Sequence, residues 1–317
     1  MKKAFLIKNQ EVFQGQKNIK KKKQYFEGWY FKNSSNNYSI AFIPGINVID
    51  NIKEAFIQII TNNTSYFIKY NFDDFEYGYD PFYIKIGKNY FTKEFIHIDI
   101  KDSNQNIRIF GNIDYTNLHN IKSTFISPNI MGPFSYLPFM ECNHAIIAMK
   151  ATANGIIKFN KQTIKFINNT VYIEKDWGSS FPKTYIWCQA NNFDNPKVSM
   201  MISIADIPFK LFHFVGFICI LKTDSKEYKF TTYNFARIIK KKITTNQIDI
   251  TLKKRNYTLH IQSFVNNSHN LSAPIKGKMT KTINESITAN TYITLKKSNN
   301  LIYSGISNNC GLEIVEK

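Results

Sequence analysis

Negative charge is scarce in this chain: 41 Lys and Arg stand against 23 Asp and Glu, a formal net charge of +18 at pH 7. Such an excess ordinarily points to nucleic acid or to an anionic membrane surface. Here the lysines come as short runs (Lys20 to Lys23, Lys240 to Lys242, Lys253 and Lys254 with Arg255), with no zinc-finger, RNP or helix-turn-helix pattern around them. Heavy use of Lys, Asn and Ile is also what an AT-rich genome produces whatever the function. The runs therefore read as solvated surface, and no nucleic-acid partner is expected. An anionic membrane surface is the remaining reading of the charge.

Cysteine is scarce too. Cys142, Cys188, Cys219 and Cys310 stand far apart without a CxxC pair, which excludes a disulfide frame or a zinc ribbon and leaves free thiols in a reducing compartment. Long apolar runs are missing: Phe212 to Leu221 is broken by His213 and reaches about half the ~20 residues of a membrane span. The start, MKKAFLIKNQEVF, lacks the apolar core of a signal peptide. A soluble cytoplasmic protein follows, with the inner membrane surface as its place of contact if it handles lipid. There is no P-loop, dinucleotide fingerprint, GxSxG elbow or HExxH, and the six histidines show no metal-ligand spacing. Neither a cofactor nor a metal is expected.

What is abundant is aromatic. Of 317 residues, 27 are Phe and 18 Tyr, and hydrophobic residues make up 43%, enough for a sizeable core. Short β-runs follow one another: YFEGWYFK, YSIAFIPGINV, AFIQIIT, SYFIKYNF, FIHIDI. In FIHIDI, Ile96, Ile98 and Ile100 alternate with Phe95, His97 and Asp99, the period of a half-buried strand. Three prolines, Pro128, Pro133 and Pro138, mark an irregular crossing before a strand near His144 to Met149. A hairpin through Asn160-Lys161 then leads into β-runs that fill the second half. The one weak helical candidate is Thr282 to Ala289. Many short strands and no repeat period predict an all-β protein of two barrel-like halves. A basic lead-in (1–24) would precede an N-terminal barrel (25–165) and a C-terminal one (166–317).

The costly residue types gather between Tyr172 and Phe193, in YIEKDWGSSFPKTYIWCQANNF. Glu174 and Asp176 lie here with Trp177 and Trp187. An acid beside an indole is one way to build a desolvated carboxyl that keeps its proton near neutral pH; a β-turn flanked by core aromatics is the other reading. Elsewhere, Glu27 beside Trp29 either faces a cavity or ends a strand at the surface. Glu141 and His144 are either functional or satisfied core polarity. Asp206 is a lone carboxylate in an apolar strand, and Gln189 either lines the site's strand or a plain barrel wall.

These segments resemble the tocopherol cyclase family. YFEGWYFK, MGPFSYLPFMECNHAIIAMK, the focal stretch, SIADIPF, TTYNFARI, INESI and CGLEIV occur in family order from residue 25 to the end. One departure is ECNHA, where the family leads one to expect an aromatic after the cysteine and a glycine after the histidine. More distantly, YIEKDWG resembles the tyrosine-x-acid-x-x-Trp-Gly pattern of carotenoid hydratases and related lipocalin-like proteins. The resemblance implies two lipocalin-like antiparallel β-barrel domains packed together, with little helix. It also implies acid-catalysed closure of a chromanol ring from a prenylated hydroquinone, a hydrophobic small-molecule substrate. Glu174 would be the proton donor with Tyr172 beside it, and Asp176 its partner or the phenol anchor. Trp29, Trp177 and Trp187 would stabilise the cation, with Glu27, Glu141, His144, Gln189 and Asp206 lining the substrate. A carrier of an isoprenoid or fatty ligand, without chemistry, is the alternative; a hydratase is the third.

Overall fold

The computed structural model describes residues 3–21, 23–35, 37–137, 140–209, 212–224 and 226–316. The chain divides into two units, Met1–Phe181 with Leu271–Thr282, and Pro182–Asn270 with Ile283–Lys317.

In the first unit two short helices, α1 (Lys3–Lys8) and α2 (Gln16–Lys20), precede the sheet. One antiparallel run is β1 (Tyr25–Ser34), β2 (Ser39–Ile49), β3 (Ile52–Thr61) and β4 (Ser65–Asn71). Another is β5 (Phe75–Tyr79), β6 (Phe82–Ile86), β7 (Asn89–Phe91), β8 (Phe95–Asp102) and β9 (Ile107–His119). Two long strands, β10 (Cys142–Phe159) and β11 (Gln162–Gly178), join the runs into one sheet, ordered 4-3-2-1-11-10-9-8-7-6-5. The sheet curls around a single core fed by every strand. Ile96, Ile98 and Ile100 are fully buried, as their alternation predicts, and each such side chain contributes about 1.5–3 kcal/mol. The hairpin turns at Asn160, whose positive φ of 51° suits asparagine.

In the second unit the strands are β12 (Tyr185–Ala190), β13 (Ser199–Phe209), β14 (Phe212–Lys222), β15 (Glu227–Thr231) and β16 (Arg237–Thr244). They continue as β17 (Gln247–Lys254), β18 (Tyr257–Phe264), β19 (His269–Ile275), β20 (Lys278–Lys297) and β21 (Asn300–Val315), although β19 from Leu271 on and β20 up to Thr282 are counted with the first unit. The sheet order is 15-14-13-12-21-20-18-17-16, with β19 paired to β20 off that path. Its core holds Cys188, Met200, Ile202, Leu259, Ile261 and Leu312. The all-β prediction therefore holds, and the only described α-helices, α1 and α2, are short. No described helix is long and apolar enough to cross a membrane.

Three details differ from the sequence reading. The expected boundary at 165/166 falls inside β11, which is paired along its length to β1 and β10; the division comes at Phe181/Pro182. Thr282 to Ala289 lies within β20, because pairing with β21 and burial of Ile283 and Ile287 override helix propensity. The lead-in is also no mere tail, since Val12 and Phe13 are buried in the first core.

A buried ion pair ties that lead-in down. The Lys175 ammonium lies 2.5 Å from Glu27 Oε1, and both side chains are inaccessible to solvent. It donates to the Gln10 and Val12 carbonyls at 2.9 and 2.6 Å, and sits 4.9 and 4.8 Å from the Trp29 and Trp177 rings. Glu27 also accepts from the Tyr25 hydroxyl (2.5 Å) and the Gln14 amide (2.8 Å). Desolvation pushes the Glu27 carboxyl up and the Lys175 ammonium down, so the pair is held by its hydrogen bonds against the cost of burial. Lys175→Met should destabilise urea unfolding by about 3–5 kcal/mol, because Glu27 is left buried and unpaired. Adding Glu27→Gln should recover most of that loss; a double variant as unstable as the single would refute the pairing.

Candidate functional site

Strand β11 presents Tyr172, Glu174 and Asp176 on one face, and Ile173 and Lys175 on the other, towards the core. Glu174 is set opposite Tyr30 on β1 and Ile146 on β10, and Asp176 opposite Gly28 and His144. That register brings four of the expected residues into one chain of contacts. Asp176 Oδ1 lies 2.9 Å from His144 Nδ1, His144 Nε2 lies 3.5 Å from Glu174 Oε2, and the Tyr172 hydroxyl donates to Glu174 Oε2 at 2.6 Å. Glu174 is 5% exposed and Tyr172 fully buried.

A carboxylate can only accept, so Asp176 fixes the hydrogen of the imidazole on Nδ1 and turns Nε2 towards Glu174. The irregular crossing holds the other side of His144, whose backbone N–H donates to Met131 Sδ at 3.1 Å. Burial, then the charges of Asp176, Glu141 and Glu174, push the neighbouring Cys142 thiol well above its ordinary value, so it stays protonated. The end of β11 is fixed by a close approach. A Cβ on Gly178 would lie 2.0 Å from the Glu141 carbonyl oxygen, which instead accepts from the Ser179 and Ser180 amides. The segment Leu271–Thr282 straps this turn: Phe181 N donates to Pro274 O, and Gly277 N to Ser179 O.

The sequence missed several residues of this face. Lys32, directly opposite Tyr172, is 1% exposed, with its ammonium 2.9 Å from Ser34 Oγ. Tyr30 packs edge-on to Tyr172 with ring centres 6.4 Å apart, and Phe26 packs on Phe181 at 5.3 Å. The signal was the alternation in YFEGWYFK, where residues 26, 28, 30 and 32 share a face; only the pairing with β11 tells which face carries the acids.

Other expectations are corrected. Glu27, Trp29 and Trp177 lie on the core side of the sheet and hold Lys175, so the two indoles surround the protein's own cation and not the Glu174 carboxyl. The Glu141 side chain is exposed, and its carbonyl serves the Gly178 turn. Gln189 and Trp187 belong to β12 of the second unit, not to the strand of the focal acids; there they face away from that unit's core. Asp206, on β13, is 3.6 Å from His213 Nδ1.

His144, Glu174 and Asp176 are also the one group among the described residues that could hold a metal ion, their ligand atoms lying within 4.8 Å of one another. The 2.9 Å separation of Nδ1 and Oδ1 is that of a hydrogen bond. Two ligands at ~2.0–2.2 Å on one tetrahedral ion would stand about 3.3–3.6 Å apart. The arrangement suits proton movement.

The tocopherol cyclase-like family profile matches residues 113–315, well over half of the chain. Chloroplastic proteins of Oryza sativa subsp. japonica and Zea mays, named as tocopherol cyclases, are each 28% identical over 74 residues, 23% of this chain. The matched stretch spans only 16% of either plant protein's length. Among solved structures, CghA with Sch210972 is similar over 92% of this chain and 88% of its own, at a TM-score of 0.61 and 8% identity. A Nitrosomonas europaea protein named AttH is similar over 92% and 93%, at 0.53 and 10%. These structural likenesses concern the fold, which is lipocalin-like.

Long-range 15N–1H spectra should find the His144 hydrogen on Nδ1 in the wild type, with Asp176→Asn releasing the ring to mixed tautomers. A wild-type ring with bare Nδ1 would refute the Asp176–His144 link.

Proposed function

The chain belongs to the tocopherol cyclase-like family, and on that premise we propose that it closes a chromanol ring from a prenylated hydroquinone, with Glu174 as the proton donor. The observation that carries this reading is the run Asp176–His144–Glu174–Tyr172 on one sheet face, partly exposed at Asp176 and His144 and buried at Glu174 and Tyr172. Glu174 gives its proton to the less substituted carbon of a trisubstituted double bond. The tertiary cation formed is trapped by the phenol oxygen, so one C–H and one C–O bond form while the π bond and the phenol O–H are lost. The phenol proton returns to Glu174, with His144 Nε2 placed to relay it and Asp176 holding His144 in position. The reaction is an isomerisation and needs no net proton.

Tyr172 orients the Glu174 carboxyl through the hydroxyl it donates. The Tyr30 and Tyr172 rings, and not Trp29 or Trp177, supply π faces on this side of the sheet. A plain carrier has no use for an acid withdrawn from solvent, so the burial of Glu174 favours catalysis over carriage. A substrate of this kind dissolves in lipid, and the excess of Lys and Arg would favour approach to an anionic membrane. Binding to phosphatidylglycerol vesicles should weaken as salt rises; equal binding to neutral vesicles would remove charge as the cause.

The deciding assay is anaerobic incubation with a phytylated benzoquinol and, in parallel, a menaquinol, followed by chromatography with ultraviolet spectra. Wild type should form a chromanol of unchanged mass, and Glu174→Gln should lose at least about a thousandfold in rate while keeping its circular dichroism. Full activity in Glu174→Gln would sink the assignment. A product heavier by one water would move the protein to the hydratases, and retention without product would make it a carrier.

A further inference from the structure

The segment TTYNFARI, Thr231 to Ile238, has no part in the proton-transfer reading. It forms the corner between β15 and β16, the two end strands of the second unit's sheet. One turn of 3-10 helix, Thr232–Asn234, makes the corner, and Asn234 Oδ1 accepts from the Thr231 amide at 3.0 Å. Ala236 is buried, whereas Phe235 before it is 90% exposed and has a φ of 63°. A bulky residue in the left-handed region costs stability, and glycine is the residue that takes that region freely. The Phe235 ring lies in solvent, so packing does not offset the cost.

Cations surround this ring. Asn234 Nδ2 and Lys254 Nζ donate to the same Lys229 carbonyl, at 3.0 and 3.2 Å, which brings the turn between β17 and β18 beside the corner. Arg237 is set opposite Lys253, and Arg255 forms the turn. Lys226 Nζ lies 5.3 Å from the centres of both the Tyr228 and Tyr257 rings. Burial, then the charges of Arg255, Lys229 and Lys226, hold the Lys254 ammonium below its usual range. Among the described residues the nearby carboxylates, Asp224, Glu227 and Asp249, are taken by Lys197, Lys229 and Lys240. None pairs with Lys226, Arg237, Lys253, Lys254 or Arg255. Like charges set so close call for an anionic partner.

Lysines alone would guard an end strand against pairing with another chain, but an exposed aromatic ring beside them works against that end. A nucleic acid would need free rings on which to stack its bases, and Lys226 covers the two tyrosines. A bilayer takes both features at once, with phosphates for the cations and an acyl boundary for the ring. We propose that the Phe235 corner docks the second unit on an anionic lipid bilayer, with Phe235 entering the acyl boundary and Lys226, Arg237, Lys253, Lys254 and Arg255 meeting the phosphates. Such docking needs no ring closure and is independent of the chemistry of the first unit.

The test is flotation of the full chain with phosphatidylcholine vesicles, with and without phosphatidylglycerol. Wild type should bind the anionic vesicles, and the neutral ones at least about tenfold more weakly. Phe235→Gly should bind anionic vesicles about fivefold more weakly yet melt no lower than wild type, since glycine relaxes the backbone there. Lys254→Glu combined with Arg255→Glu should lose at least about tenfold while keeping its circular dichroism. Phe235→Trp on vesicles of brominated lipid should be quenched beyond wild type, which reports the depth of residue 235 directly. No binding of wild type to anionic vesicles would overturn the proposal. So would Phe235→Gly binding as tightly as wild type, or vesicle-bound Phe235→Trp without added quenching. An RNA oligonucleotide that binds more tightly than the vesicles, and equally to Phe235→Gly, would give the face to nucleic acid and overturn it as well.

Discussion

A single ammonium group organises the unit that carries the acid. Lys175 sits between Glu174 and Asp176 in sequence, yet it points to the opposite side of β11, where Glu27, two carbonyls of the lead-in and two indoles enclose it. A strand has a period of two, so anchoring that one side chain in the core obliges both acids to face the other way. The same anchor holds Gln10 and Val12, and with them the buried Phe13. Register, core and lead-in thus share one electrostatic constraint. A slip of one residue would expose the ammonium's partners and bury the acids in the barrel.

On the acid face the chemistry depends on graded contact with water. Glu174 is almost wholly buried, while the Asp176 side chain keeps 24% of its surface. His144 bridges the two, with its ring held from one side by Asp176 and its backbone from the other by Met131. A proton can pass along such a line without a mobile water in the site. On the proposed reading, withdrawing the acid from solvent also removes the nucleophile that would compete with ring closure.

Much of the fold was legible, because its signals are local. The Ile alternation in β8, the Asn160 turn and the crossing rich in proline each follow from side-chain sterics within a few residues. Glu174 and Tyr172 came as candidates from the resemblance to the tyrosine-x-acid-x-x-Trp-Gly pattern; that they share a face with Asp176 follows from their standing two apart on one strand. What sequence could not supply was pairing. Trp29, Glu27 and Trp177 sit beside the acids in sequence or by motif, yet alternation puts them on the core side. His144 became Asp176's partner only through the β10–β11 register. Lys175 drew no notice as one lysine among many, although a lysine flanked by two site acids must point away from them. Glu285 and Glu313 were visible only as parts of INESI and CGLEIV; no spacing indicates that two strands place them opposite each other.

The account turns on a proton that moves from a buried carboxyl to carbon, and deuterium follows that step directly. The reaction should be run anaerobically in D2O and the product returned to H2O to clear exchangeable positions. The account predicts a chromanol carrying one deuterium, on one face of the methylene beside the oxygen-bearing carbon, because an enclosed acid delivers it from a fixed side. A chromanol with no deuterium at carbon, or with label spread over both faces, would contradict proton delivery by Glu174.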